Sequence, residues 1–204
     1  MTAPLGGGLV VQADACEGMH RRVANVLVLG VGNILLSDEG IGVRVVEALP
    51  QRYRVPEGVE MVDGGTCGMD LLDLIAGRDH LILVDAVATG GPPGTVVRLE
   101  GDEIPALFRT RSSPHQLGLQ DVLALLRLLD ASPAHVTVIG VQPASLDLGL
   151  ELSPAVAARL DEMVEMVAHE LAAIGPDWPA ARSLTSLPRP TTASPALPTT
   201  GAMF

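Results

Sequence analysis

A chain of 204 residues, 48% hydrophobic but only 2% aromatic, is long enough to bury one sizeable core, which must be built from Val, Leu, Ile and Ala. Its 13 basic and 24 acidic residues leave a net charge of −11, which argues against nucleic acid as a partner because a phosphate backbone needs a basic surface. Two cysteines, Cys16 and Cys67, are too few for a disulfide scaffold, and no CxxC pair suggests structural zinc. The first residues lack the basic start and long apolar segment of a secretory signal. No apolar run approaches the roughly 20 residues that cross a membrane. The expectation is a soluble, cytoplasmic monomer with no membrane partner.

Residues 1–24 hold Gly6-Gly7-Gly8 and no periodicity, and read as a flexible leader. The apolar run Val26 to Leu29 reads as a buried strand, broken by Gly30-Val31-Gly32-Asn33. A helix is expected from about Asp38 to Leu49, with Ile41, Val45, Ala48 and Leu49 on one face and Ser37 or Asp38 able to cap its start. Val59 to Val62 reads as a second strand ending in Asp63-Gly64-Gly65-Thr66, followed by a helix from Met69 to Ile75. Leu81 to Val84, fully apolar, reads as a central third strand ending in Asp85. The turn Gly90 to Gly94 leads to a fourth strand, Thr95 to Leu99; its short spacing from the third suits a hairpin and an antiparallel edge.

Residues 102–114 look irregular apart from a helical turn at Ile104 to Phe108. A helix then runs to about Leu129 with a stripe of Leu119, Val122, Leu123 and Leu126. Val136 to Val141 is the fifth strand. A last helix is expected from Pro154 to Ile174, with Val156, Leu160, Met163, Val164, Val167 and Leu171 on its apolar face. Beyond Gly175, Pro, Ser, Thr and Ala dominate, so 25–175 reads as one α/β domain and 176–204 as a disordered tail. Alternating strands and helices predict a three-layer fold with a mostly parallel sheet.

In such a sheet, residues at the carboxyl ends of strands converge on one crevice. Glu39 follows the first strand, Asp85 ends the third, and His115 immediately precedes a helix returning to the sheet. Two carboxylates and an imidazole suit a borderline divalent cation such as zinc or nickel, and three protein ligands leave positions open for water or substrate. Each also has a plainer reading: Asp38 and Glu39 as acids favouring a helix start, Asp85 as a turn residue, His115 as a residue at a helix cap. His80 and His135 precede strands at the opposite edge, and His169 falls on an exposed helix face.

Gly30-x-Gly32 after a strand begins a dinucleotide fingerprint, with Asp63 placed for the ribose. Leu35 stands where the third glycine belongs, and acids at the helix start would repel a pyrophosphate. No GxSxG is present. Cys67 in Gly64-Gly65-Thr66-Cys67-Gly68 reads as a reactive thiol or, better, as a small buried residue in a tight turn.

Several segments together resemble the maturation endopeptidases of nickel–iron hydrogenases. These are Gly30-Val31-Gly32-Asn33 with Ser37-Asp38-Glu39-Gly40-Ile41-Gly42, then Asp63-Gly64-Gly65-Thr66 with Gly68, and Leu83-Val84-Asp85-Ala86. Ser113-Pro114-His115-Gln116-Leu117-Gly118-Leu119 and Gly140-Val141-Gln142-Pro143 follow, in matching order over about residues 25–174. The resemblance implies a twisted five-stranded sheet between helices. It implies one cut, removing a C-terminal extension from the hydrogenase large-subunit precursor after nickel insertion. It also implies that Glu39, Asp85 and His115 contact a divalent metal: nickel presented by the substrate or, alternatively, a permanently bound zinc with Asp38 as a possible base. A chaperone that binds the nickel-loaded precursor without cutting is the alternative function.

Overall fold

A computed structural model describes residues 24–104 and 114–175, with the side chains of Asp102 and of residues 114–117 outside that description. The leader expected over 1–24 (Ala24 apart), the tail expected over 176–204 and the expected helical turn beyond Ile104 lie outside the described residues.

Five strands form one sheet: β1 (Val26–Val31), β2 (Val59–Gly65), β3 (His80–Ala86), β4 (Val96–Glu100) and β5 (His135–Val141). Their order is β2-β1-β3-β5-β4. The pairings of β2 with β1, β1 with β3 and β3 with β5 are parallel, and β4 runs antiparallel to β5. Helices cover both faces, as the apolar side chains on both sides of the central strands require. On one face, Val26, Val28, Ile82, Val84, Ile139 and Val141 pack against α1 (Ile41–Arg52) and the C-terminal helix. On the other, Leu27, Leu29, Leu81, Leu83 and Val138 pack against Leu71 and Ile75, around the short α2 (Leu72–Ile75), and against Leu119, Val122 and Leu126 of α3 (Pro114–Leu128).

The expected last helix is two. α4 (Pro154–Ala157) is a single turn with Pro154 in its first positions and the Ser153 hydroxyl accepting from the Val156 amide; α5 (Leu160–Ile174) follows. The expected hairpin is also corrected: β4 does not pair with β3. Every residue of β3 from Leu81 to Ala86 is buried, and parallel β1 and β5 occupy its two sides. β4 buries only Leu99, which suits an edge. A two-pronged Arg98–Glu170 pair, 2.5 and 2.9 Å, ties that edge strand to α5. Among the described residues, no helix is long and apolar enough to cross a membrane.

One close approach sets the position of α1. A Cβ on Gly42, in its first turn, would lie 2.2 Å from the Val84 carbonyl oxygen and 2.5 Å from that of Val31. The helix therefore rests its backbone on β1 and β3, with no room for any side chain. Gly42→Ala is expected to lower stability by about 1–3 kcal/mol, read in urea unfolding, because the obstructing atoms are backbone.

At the amino edge, His80 and His135 are register partners whose rings stack at 4.7 Å. Burial, then the neighbouring His135, hold the His80 imidazole below its ordinary value, against a smaller opposing pull from Asp79. Below about pH 6.5 the unfolded chain then binds more protons at this position than the folded one. Stability from this source is complete above that pH and is lost as pH falls through the folded value. His135→Gln is expected to move the His80 titration upward, followed by imidazole NMR.

Candidate active site

The chain leaves β1 to build β2 on one side, then crosses back to build β3 on the other. The carboxyl ends of β1 and β3 thus flank the reversal point of the sheet, where open α/β sheets form their crevice. The first wall comes from the loop after β1. Gly32 adopts φ 125°, and a Cβ there would fall 1.8 Å from the Glu39 carbonyl oxygen, so glycine lets the loop fold tightly back. A 3-10 turn, Ser37–Gly40, follows and leads straight into α1. It carries Asp38 and Glu39 inward.

Among the described residues, the buried polar or charged side chains are Asp38, Glu39 and Asp85, each no more than 3% exposed. All three lie at this edge. Asp85, next to last in β3, lies opposite Gly140 of β5. Strand alternation puts it on the Leu81 and Leu83 face, the face covered by α3. α3 starts at the same edge: a Cβ on Gly118 would lie 3.0 Å from the Cα of Gly68, just beyond the end of β2. His115 belongs to the first turn of that helix, and its side chain lies outside the described residues. Among the described residues, no group of three His, Cys, Asp or Glu side chains could hold a metal ion.

Asp38 does not cap a helix, since neither the 3-10 turn nor α1 has a side-chain capping bond. Its carboxylate reaches across the crevice instead. One oxygen accepts the amides of Ala144 and Ser145 at 2.8 and 3.0 Å, and the other accepts the Ser153 amide at 2.6 Å. Around this clamp, the Ser37 amide donates to Gly149 O, the Ser37 hydroxyl to Asp147 O, and Gly149 N back to Leu35 O. The Arg44 guanidinium donates to Leu150 O. The loop after β5 is thereby laced to the loop after β1. A comparable tie holds the loop after β3: the Gln142 side-chain oxygen accepts from the Thr89 amide, the Thr89 hydroxyl and the Gly90 amide.

The other sequence candidates are not among these buried acids. Asp63 is exposed and its Oδ1 accepts the Gly65 amide, a local turn bond. Cys67 is exposed rather than buried, because the Gly64-to-Gly68 turn projects it outward. His80 and His135 lie at the far edge, and His169 is exposed. Sequence reasoning misses Gln142 and the 144–153 loop as parts of the site. Gln142-Pro143 at a strand end is the available signal; the amides that Asp38 gathers have none, since backbone groups leave no mark in sequence.

Three buried carboxylates at the reversal point of a mostly parallel sheet define an α/β protein with an acidic crevice at the edge where such folds place their functional groups. The profile of the hydrogenase maturation protease family matches residues 43–170, and the chain belongs to that family. It is 53% identical over 143 residues to the hydrogenase 2 maturation protease of Escherichia coli K12, covering 70% of this chain and 87% of that protein. Against the hydrogenase expression/formation protein HupD of Thiocapsa roseopersicina, identity is 45% over 152 residues, covering 74% and 69%. Among solved structures, the hydrogenase maturating endopeptidase HybD from E. coli superimposes with a TM-score of 0.71 at 52% identity, over 74% of this chain and 94% of that one. The NiFe hydrogenase maturation protease HybD from Thermococcus kodakarensis does so with 0.60 at 31% identity, over 72% and 99%. The chain is a hydrogenase maturation endopeptidase.

Gln142→Ala is expected to speed amide exchange at Thr89 and Gly90 and to cost about 1 kcal/mol in urea unfolding. Such partly exposed amides regain water when their acceptor is removed.

Proposed function

We propose that this endopeptidase removes the C-terminal extension of the nickel–iron hydrogenase large-subunit precursor, once nickel has been inserted. The observation that carries the reading is the burial of Glu39, in the turn after β1, and of Asp85, near the carboxyl end of β3. Two carboxylates gathered at one crevice supply oxygen donors of the kind divalent cations take. A divalent cation carried in by the substrate fits that donor chemistry.

Nickel here belongs to the substrate. Glu39, Asp85 and His115 offer oxygen and imidazole donors, which suit a borderline divalent ion. By taking positions left open on the precursor's metal, they would anchor the precursor and make cutting conditional on a loaded centre. A cation so held can polarise the scissile carbonyl or activate water. The same three residues could hold a resident zinc instead, which would supply that chemistry permanently. Asp38 is the further acid beside Glu39. Three of its roughly four acceptor positions already hold backbone amides, two on one oxygen and one on the other.

The test is the mass of a nickel-loaded precursor before and after incubation with the protein, with His115→Ala and Glu39→Gln in parallel. The expected result is a single C-terminal loss with the wild type. Each variant should cut more slowly by at least the 10- to 100-fold that supporting partners of a metal site are worth. Unchanged precursor mass despite complex formation would identify a chaperone. Cutting by His115→Ala at the wild-type rate would remove that residue from the site. Chelator-treated enzyme should still cut nickel-loaded precursor; loss of cutting, restored by zinc, would select the resident-zinc mechanism.

A further inference from the structure

Large apolar side chains stand exposed where the loops after β1 and β5 meet. Ile34 is 43% exposed, Leu35 54%, Leu148 86% and Leu150 57%. They come from segments more than a hundred residues apart, joined by the Leu36–Gly149 bridge and by the Gly149 N to Leu35 O bond. Exposed leucines are ordinary singly; four brought together at one rim are a surface with an occupant.

The rim is held firmly. The three amides on Asp38 fix both ends of the 144–153 loop, and the Ser37 hydroxyl and Arg44 guanidinium fix its middle at Asp147 and Leu150. Asp38 is itself fully buried and adjoins Glu39 in the same 3-10 turn. The rim is thus continuous with the crevice and cannot drift relative to it. Exposed Asp147 and Glu151 flank Leu148 to Leu150, in a chain of net charge −11.

We propose that Ile34, Leu35, Leu148 and Leu150, pinned through Asp38, form the docking surface for a segment of the precursor next to the scissile bond, apolar with basic flanks. This rests on the function proposed above. A peptide laid across the crevice must continue over one of its rims, and this rim is both apolar and preorganised. Asp38 is then a positioning residue, acting through the loop and not on the reacting atoms. Preorganisation matters because ordering a loop on binding costs affinity.

The experiment measures cutting rate against concentration of nickel-loaded precursor, together with precursor affinity, for the full-length wild type, Leu148→Asp and Asp38→Asn. Leu148 is too exposed for its substitution to disturb folding. For Leu148→Asp, KM is expected to rise about tenfold or more, with kcat within about twofold of wild type, the pattern of lost uniform binding. Asp38→Asn offers one oxygen to three amides. It should raise KM similarly, leave the pH–rate profile unchanged and accelerate amide exchange at Ala144, Ser145 and Ser153.

Wild-type KM in Leu148→Asp would overturn the docking surface, whether or not Asp38→Asn folds. A collapse of kcat in Asp38→Asn, with one limb of the pH profile lost and KM retained, would overturn the positioning role and make Asp38 the base. A wild type that binds precursor without cutting would overturn the proposed function alone; a weaker affinity in Leu148→Asp would still support the rim, and an equal one would overturn it. A wild type that does neither overturns both.

Discussion

A single buried carboxylate gathers three backbone amides from the far side of the crevice. Hydrogen bonds to a charged acceptor are among the stronger ones in proteins, and a charge taken out of water is tolerated only when satisfied. Asp38 meets that condition by organising a distant loop: the segment after β5 has little regular structure of its own, and its amides would otherwise need water. The consequence is that the acid beside it, Glu39, sits on a turn whose neighbours on both sides are fixed. The crevice is rigid because a loop that should be its softest wall is fastened to its hardest one.

That hard wall comes from a second constraint, the absence of a side chain at Gly42, where the first turn of α1 meets the sheet. With Gly42 against the carbonyl oxygens of Val31 and Val84, the helix start cannot rise or slide without opening a void beneath it. Gly32 against the Glu39 carbonyl does the same for the 3-10 turn. Backbone packed on backbone leaves fewer soft torsions than side chain packed on side chain. A site that must hold one peptide bond in one geometry benefits from that stiffness.

Much of this architecture is legible in the amino-acid sequence, for physical reasons that differ by element. The runs Val26 to Leu29, Leu81 to Val84 and Val136 to Val141 are apolar on both faces, and only a strand covered on both sides needs that pattern. Asp85 at the end of such a run marks a polar crevice, and Glu39 after the first glycine turn points to the same edge. The partner of β4 is not legible, because closeness in sequence favours a hairpin while burial of β3 demands a parallel neighbour, and burial wins. The division of the last helix at Ala158 and Arg159 has no glycine or proline at the break to mark it. The clamp at Asp38 is hidden most deeply: an acid at a helix start has the same sequence signature whether it caps the helix or crosses to another loop.

The clamp also has a consequence for how the protein is made. Asp38 and the amides it binds are 106, 107 and 115 residues apart in the chain. On a ribosome, the acid emerges long before its partners, and it stays hydrated until Ser153 has cleared the exit and the last parallel strand has docked. Contacts of such long range form late, since chain closure has to precede them. A partly synthesised copy therefore has no finished crevice, and peptide-cutting capacity arrives with the end of the domain.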